Sequence, residues 1–140
     1  MQTKTGVGYS TKTDSFAAGN ECAAKAIEQI GQSAISIVIV FCSGKYNPEQ
    51  FLAGVRSNTG NAPLIGGAAF GVFTNTELSY EAYEAIVTII SSDSIQFQTF
   101  SQPDLNKDEY AAGIALSQKI NDTGFKNAKG YLFFMIRRNL

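Results

Sequence analysis

The chain alternates between polar stretches and short apolar runs whose lengths suit the strands and helices of a small domain. The segment Lys4–Tyr9 predicts a first short strand. In the polar residues that follow, Thr13 or Asp14 can cap a helix. We expect this helix to run to about Ile30 and to end at Gly31.

The first predicted helix has an apolar side and a polar side. On the polar side, Glu21 and Lys25 are one helical turn apart, so the sequence predicts a favourable ion pair. The apolar side, which we expect to face the core, carries Phe16, Ala23, Ile27 and Ile30.

A nearly continuous apolar run, Ile35–Cys42, predicts a strand that is buried on both faces. The residues Ser43-Gly44-Lys45 then predict a turn. A second helix should follow, with Asn47 as its cap and Pro48 in its first position. The apolar residues expected to anchor this helix are Phe51, Leu52 and Val55.

The middle of the chain is rich in strand-forming residues. Residues Pro63–Phe73 predict a short strand, a glycine pair at Gly66 and Gly67, and another strand. The runs Ala85–Ile90 and Ile95–Phe100 are separated by serines and an aspartate, which predicts an antiparallel hairpin.

The last part of the chain predicts one more helix and one more strand. Residues Asn106–Glu109 form a capping box for a helix that should run to about Ile120. Tyr131–Ile136 predicts a final buried strand. Ala17-Ala18-Gly19 recurs as Ala111-Ala112-Gly113, which suggests that a helix-loop-strand unit is repeated.

These elements predict an α/β fold with a mixed β-sheet that is covered by helices. Because no helix is predicted between Pro63 and Phe100, part of the sheet should be antiparallel. The 140 residues suit one domain, so we expect a single domain over residues 1–140.

Composition narrows the class of protein. Hydrophobic residues make up 44% of the chain, which is enough for a core, and the formal net charge is −1. Without a basic patch, we expect no nucleic-acid partner. No apolar run approaches the roughly 20 residues that cross a bilayer, and no signal segment opens the chain. We therefore expect a cytoplasmic protein without a membrane partner.

The side chains available for catalysis are few. The chain has no histidine, so no Ser-His or Cys-His pair can form within it, and zinc ligands are scarce. We expect no enzyme, no metal and no cofactor, and we interpret Cys22 and Cys42 as small apolar core residues. The alternative is a small-molecule enzyme whose active group is Cys42 or a carboxylate such as Asp14.

The order of several motifs resembles a known family. Gly6-Val7-Gly8-Tyr9-Ser10 precedes an alanine-rich helix, and the next strand ends in Phe41-Cys42-Ser43. Tyr46 and Phe51 follow, and then Pro63-Leu64-Ile65-Gly66-Gly67-Ala68-Ala69-Phe70-Gly71. This order is similar to the FIST N-terminal domain across nearly the whole chain, and the stretch Gly66–Gly71 carries most of the resemblance.

The resemblance implies a sensory domain for small ligands such as amino acids. Its family occurs alone or joined to bacterial signalling modules, including histidine kinases and chemotaxis receptors, and also in an F-box protein. We therefore expect a ligand-sensing domain in intracellular signal transduction, with a signalling protein as its partner. A protein-interaction module is a further alternative.

The family normally continues beyond the last predicted strand and is followed by a FIST C-terminal domain. We therefore expect the domain to be incomplete at its C-terminal end. An apolar strand such as Tyr131–Ile136 needs neighbours at both edges, so we expect the chain to form a homo-oligomer or to be marginally stable alone.

The candidate ligand site lies where two turns should meet at the carboxyl ends of strands. Glycines can expose backbone N–H groups to a carboxylate, and hydroxyl groups can add further bonds. The candidate residues are Ser43, Gly44, Tyr46, Gly66, Gly67 and Gly71, with the Ser10 loop nearby.

Simpler interpretations of the same residues remain open. The glycine pair could form a bulge or a tight bend, and Ser43–Tyr46 could be an ordinary turn before a helix. A further polar and aromatic group is interpreted as solvated surface: Tyr80, Glu81, Tyr83 and Glu84.

Overall fold

The computed structural model describes residues 2–80, 82–124, 128–132 and 134. The chain divides into two compact units, Met1–Phe97 and Gln98–Leu140, and each is described by itself.

The first unit has a mixed sheet with helices packed on it, as the sequence predicts. Its elements are β1 (Thr3–Ser10), α1 (Ser15–Ile30), β2 (Ile37–Ser43), α2 (Pro48–Thr59), β3 (Leu64–Ala69), β4 (Val72–Phe73), β5 (Leu78–Ser79) and β6 (Ala85–Ser92). Four strands form a sheet in the order β1-β6-β2-β3, and β4 pairs with β5 in a separate two-stranded sheet. The predicted α/β class is therefore confirmed.

Strand β6 determines the directions of its neighbours. It pairs antiparallel with both β1 and β2, while β2 pairs parallel with β3. Ala85 is the register partner of Ser10 on one side and of Cys42 on the other. Strands β1, β2 and β3 consequently end at the same edge of the sheet, and the predicted antiparallel component is present.

The predicted pairing of β6 with Ile95–Phe100 is wrong. Residues 95–100 have no regular secondary structure, because β1 and β2 occupy both edges of β6. The hydroxyl of Ser92 accepts hydrogen bonds from Ser94 N at 3.3 Å and Ile95 N at 3.1 Å. These bonds turn the chain away from β6 as soon as that strand ends.

The helix caps of the first unit follow the sequence signals. Asp14 Oδ1 accepts a hydrogen bond from Ala17 N at 2.7 Å, and Gly31 ends α1 with φ of 64°. At α2, Asn47 Oδ1 accepts from Gln50 N at 3.0 Å and Pro48 is the first helical residue.

The predicted apolar face of α1 is confirmed at Ala23 and Ile30, which are buried, and Ile27 packs against the core, but the prediction for Phe16 is wrong. Phe16 is 46% exposed, and in α2 Leu52 is also exposed. The buried positions of α1 are mainly small: Ser15, Ala18, Gly19, Cys22, Ala23, Ala26 and Ile30. A search for large apolar side chains therefore misses part of the stripe that faces the core, because most of its residues have little side-chain volume.

The small stripe allows α1 to lie against the backbone of β1. A Cβ atom added to Gly6 would overlap the carbonyl oxygen of Ala26, and one added to Gly8 would overlap that of Cys22. The absence of side chains at these two glycines of β1 permits this close approach.

Helix α2 crosses α1 just as closely. A Cβ atom on Gly19 would overlap the carbonyl oxygen of Phe51, and one on Gly54 would overlap that of Phe16. Asn20 Nδ2 also donates to Ser57 Oγ at 2.9 Å across the crossing. The two helices therefore meet backbone to backbone.

Larger apolar residues fill the space between the helices and the sheet. Phe51, Val38, Val55, Val87 and Ile89 are almost completely buried in one cluster with the small residues of α1. Burying each such side chain stabilises the fold by about 1.5–3 kcal/mol.

The prediction that the glycine pair separates two strands is wrong. Gly66 and Gly67 lie inside β3 and pair with Val40 and Phe41 of β2. A Cβ atom added to Gly66 would overlap the carbonyl oxygen of Val40. Gly66 is therefore needed where the two strands approach.

The second unit contains α3 (Glu109–Asp122). Its cap is Asp108, whose Oδ1 accepts from Ala111 N at 2.9 Å, and not Asn106, which lies inside the preceding turn. The cap and first turn reproduce those of α1, in agreement with the repeated Ala-Ala-Gly sequence.

The predicted final strand, Tyr131–Ile136, falls partly outside the described residues, which omit 133, 135 and 136. Tyr131, Leu132 and Phe134 have no regular secondary structure, and Tyr131 and Leu132 are exposed.

Replacing Gly54 by alanine should destabilise the protein, because the new methyl group would meet backbone atoms of Phe16 and Asn20. We expect the free energy of unfolding to fall by about 1–3 kcal/mol, measured by urea denaturation. Gly113→Ala is the matched control, since Gly113 is also helical and has open space around it. It should leave the protein unchanged or stabilise it by up to about 1 kcal/mol. Equal effects of the two substitutions would contradict the close crossing.

Candidate functional site

The carboxyl ends of β1, β2 and β3 lie at one edge of the sheet, where the sequence places the candidate site. Ser43 at the end of β2 is the register partner of Ala69 at the end of β3. The loop after Ser10 reaches the same edge, because the hydroxyl of Tyr46 donates a hydrogen bond to Lys12 O at 2.8 Å. The structure therefore brings together the Ser10 loop, the Ser43–Tyr46 turn and the residues that follow β3.

The hydroxyl of Ser43 is used within the fold. It donates to Ala82 O at 2.8 Å and accepts from Lys45 N at 3.3 Å, and the side chain is nearly buried. Tyr46 N also donates to Ser43 O at 3.2 Å. Ser43 therefore shapes the turn and anchors residue 82 beside it.

Tyr46 is similarly committed to the fold. Its side chain is 4% exposed, and its ring packs edge-on against Tyr83 with centroids 5.4 Å apart. Burial raises the pKa of Tyr46, so the hydroxyl stays protonated and keeps donating to Lys12. We conclude that Tyr46 joins two loops.

The candidate glycines fall into two groups. Gly66 and Gly67 lie within β3, whereas Gly44 and Gly71 follow strand ends. A Cβ atom on Gly44 would have no heavy atom within 4 Å, so the backbone there is open to its surroundings. Gly71 has φ of 97°, a conformation that favours glycine, and lies against the ring of Tyr80.

A charged cluster beside the Ser10 loop was not among the predicted site residues. Ser10 Oγ donates to Glu21 Oε2 at 2.5 Å, and the ammonium groups of Lys25 and Lys12 lie 3.1 Å and 3.7 Å from its carboxylate oxygens. The bond from Ser10, aided by the two lysines, lowers the pKa of Glu21 in spite of partial burial. The predicted Glu21–Lys25 pair is confirmed. Lys12 lies near this pair because the folded chain brings the Ser10 loop beside α1.

The interpretation of residues 80–84 as solvated surface needs correction. Glu84 is 2% exposed, with Ser79 Oγ donating to its Oε2 at 3.1 Å, and Tyr83 packs on Tyr46. Tyr80 is exposed as expected, and Glu81 lies outside the described residues. The burial of Glu84 follows from its position directly before β6, which a local count of polar residues does not reveal.

Lysine side chains supply positive charge at this edge. Lys45 Nζ lies 5.8 Å from the ring centroid of Tyr83, and Lys12 is more than half exposed. Among the described residues, no group of three or more His, Cys, Asp or Glu side chains is placed to hold a metal ion. The edge can therefore offer main-chain groups and ammonium groups to a small anion.

A cleft of about 680 Å³ is lined by residues of β1, β6, α1 and the segment 73–77. The sequence did not single out its lining, which includes one lysine and two glutamates. Its lining residues are Thr5, Val7, Tyr9, Lys25, Glu28, Gln29, Phe73, Thr74, Asn75, Thr76, Glu77, Ile86 and Thr88.

The described helices are each too short or too polar to cross a bilayer.

Comparison with known proteins identifies a family. Residues 36–137 match the FIST N domain, which is more than half of the chain. No curated protein matches. Among solved structures, a mutant of FtsZ from M. jannaschii has 18% identity and a TM-score of 0.39, covering 64% of this chain and 27% of its own. An empty FtsZ dimer from M. jannaschii has 17% identity and a TM-score of 0.38, with coverages of 71% and 34%. This chain thus spans about a third or less of those chains.

Acid should weaken the contribution of Glu21 to stability. Because the folded state lowers the pKa of Glu21, its stabilisation is present above the ordinary pKa of 4.5 and is lost as the pH falls through the folded pKa. Denaturation at several pH values should show that Glu21→Gln costs stability near neutral pH and less in acid. A Glu21→Gln effect that is constant with pH would contradict the prediction.

Cys42 should be unreactive in the folded protein, because burial raises the pKa of its thiol and leaves little thiolate. Burial also raises the pKa of Cys22 to about 12. Titration with a thiol reagent should label both slowly before denaturation and quickly after it. Fast labelling that is confined to Cys42 would favour the enzyme alternative.

Proposed function

Because the chain belongs to the FIST N domain family, a sensory domain family of signal transduction, we propose that it senses a small carboxylate ligand such as an amino acid. Family membership is the observation that carries this proposal. The ligand class is supported by the chemistry of the edge at which β1, β2 and β3 end.

The proposed site is the surface around the Ser43–Tyr46 turn and the residues that follow β3. Gly44 leaves the backbone open there, and Gly71 takes a conformation that favours glycine. The N–H groups of Lys45 and Tyr46 are used by bonds to Ser43, so the N–H group of Gly44 is the donor in this turn that can hold a carboxylate. The ammonium groups of Lys12 and Lys45 attract such an anion.

The candidate residues then have different tasks. Gly44 gives the ligand access to the main chain, and Gly71 allows the chain after β3 to turn beside Tyr80. Ser43 and Tyr46 hold the turn in shape through bonds to Ala82 and Lys12. Gly66 and Gly67 belong to β3, whose position relative to β2 brings Gly71 to the edge.

Sensing would use the connection between the two loops. The bond from Tyr46 to Lys12 O joins the Ser43–Tyr46 turn to the Ser10 loop. A ligand that contacts both loops binds best when they are joined, so it shifts the population toward that arrangement. A signalling partner could then detect the change at this edge.

The enzyme alternative gains no support from its named residues. The pKa of Cys42 is raised, which disfavours a thiolate nucleophile, and the carboxylate of Asp14 caps α1. We therefore propose no reaction.

A thermal-shift screen of amino acids and small carboxylates tests the proposal. A ligand at 100 times its dissociation constant should stabilise the wild type by about 2.7 kcal/mol. Gly44→Val should fold normally, because the space around Gly44 is open, and should lose most of this stabilisation. Gly113→Val is the matched control at another open glycine and should bind as the wild type does.

Failure of every compound to stabilise the wild type would contradict the ligand class. If a ligand stabilises Gly44→Val as much as the wild type, the site lies elsewhere.

A further inference from the structure

Strand β3 is one of the two outer strands of the four-stranded sheet, and its outer side runs along the strand. In the described part of the chain, the strand order leaves it paired with β2 only. Val38 N donates to Pro63 O at 2.8 Å, and Val38 is the register partner of Leu64. Val38 therefore bonds to the residue before Leu64, and in a parallel pair this means that Leu64 itself points its N–H and C=O groups away from β2. The same holds for every second residue of β3. These outward residues are Leu64, Gly66 and Ala68.

At the other outer strand, β1, side chains of α1 bond to the backbone on the outer side. Gln29 Oε1 accepts from Val7 N at 3.2 Å, and Gln29 Nε2 donates to Val7 O at 2.6 Å. Lys25 Nζ donates to Tyr9 O at 3.0 Å. Helix α1 thus occupies outward backbone groups of Val7 and Tyr9 in β1, which hinders another strand from pairing there.

Within β3 itself, no charged residue or proline protects the outer side of the strand, although Pro63 directly precedes it. The sequence contains no charged residue between Arg56 and Glu77, and β3 itself is Leu-Ile-Gly-Gly-Ala-Ala. Ala68 is exposed, and Phe70 directly after the strand is fully exposed. Edge strands that avoid pairing carry charges, bulges or prolines along their length. This one is open to a partner strand.

We propose that β3 pairs antiparallel with β3 of a second copy of this chain, about a two-fold axis through Gly66. In this register Gly66 faces Gly66 of the second copy, and Leu64 faces Ala68 of the second copy. Every outward N–H and C=O group of Leu64, Gly66 and Ala68 then finds a partner. A shifted register leaves some of these groups without one.

The chemistry of β3 suits a second copy of the same strand. A two-fold axis pairs the strand with an identical strand, so charges of one sign on β3 would face charges of the same sign, and β3 carries none. The larger Leu64 meets the smaller Ala68, and glycine at the axis leaves no side chains to collide. This surface runs along the outer side of β3, whereas the proposed ligand site lies around the Ser43–Tyr46 turn and the residues that follow the strand.

Sedimentation velocity over a range of concentrations tests the pairing. The wild type should form a dimer as concentration rises. Ala68→Pro removes an outward N–H group without touching the ladder to β2, and prolines are tolerated at edge strands. Because two-fold symmetry removes the bond twice, the dissociation constant should rise at least about tenfold. Ala68→Val keeps the N–H group and should dimerise as the wild type does.

A thermal melt of each variant shows whether it is folded before its association is compared. A wild type that is monomeric at every concentration would overturn the proposal. A dimer that Ala68→Pro leaves unchanged would also overturn it, since the contact would then lie on another surface.

Disulfide cross-linking tests the register. Leu64→Cys and Ala68→Cys, each alone, should not cross-link to themselves, because neither position faces its own equivalent. An equimolar mixture should form a cross-linked heterodimer under mild oxidation. The wild type serves as a control, since burial raises the pKa of both native thiols. Cross-linking of either single variant as efficient as that of the mixture would contradict this register.

Discussion

The close approach of α1 to its neighbours is the constraint on which the rest of the first unit depends. The helix lies against β1 because Gly6 and Gly8 have no side chains, and against α2 because Gly19 and Gly54 have none. Contact between backbones replaces the side-chain layer that usually separates such elements. Any added Cβ atom would push α1 away from β1 or α2, because the overlapping atoms belong to the main chain and cannot rotate aside.

The same contact controls the candidate site. Glu21 on α1 reaches Ser10 at the end of β1, and Lys12 in the next loop reaches both Glu21 and, through its carbonyl oxygen, Tyr46. The position of α1 is therefore transmitted to the Ser43–Tyr46 turn through a short chain of polar contacts. Ser43 and Tyr46 position the backbone of the edge with groups that would otherwise be available to a ligand.

Local signals in the sequence predicted local structure well. The caps Asp14 and Asn47, the helix end at Gly31 and the buried strand before Ser43 were all recognised from neighbouring residues. The candidate site requires β2 and β3 to be parallel neighbours, and they are, which brings the ends of both strands to one edge. Ligand binding at that edge stays a prediction.

The remaining features depend on competition between distant segments. Ile95–Phe100 has the alternation of a strand, but β1 and β2 occupy both edges of β6. Glu84 is polar, yet the packing around β6 buries it. Phe16 is large and apolar, but the side of α1 that meets other backbones has room only for small residues. The residues next to each of these positions in the sequence do not show which distant segments will pack against it in the fold.

The pairing of β1 with β6 has a consequence for the order in which the protein folds. Thr3 and Ser92 are paired although 89 positions separate them along the chain. By contrast, α1, β2 and α2 are consecutive, and their contacts close much shorter loops. On a ribosome, the first strand emerges long before its partner and must wait for β6 to be synthesised. The helical layer can assemble during that interval, whereas closure of the sheet is a late, entropically costly step.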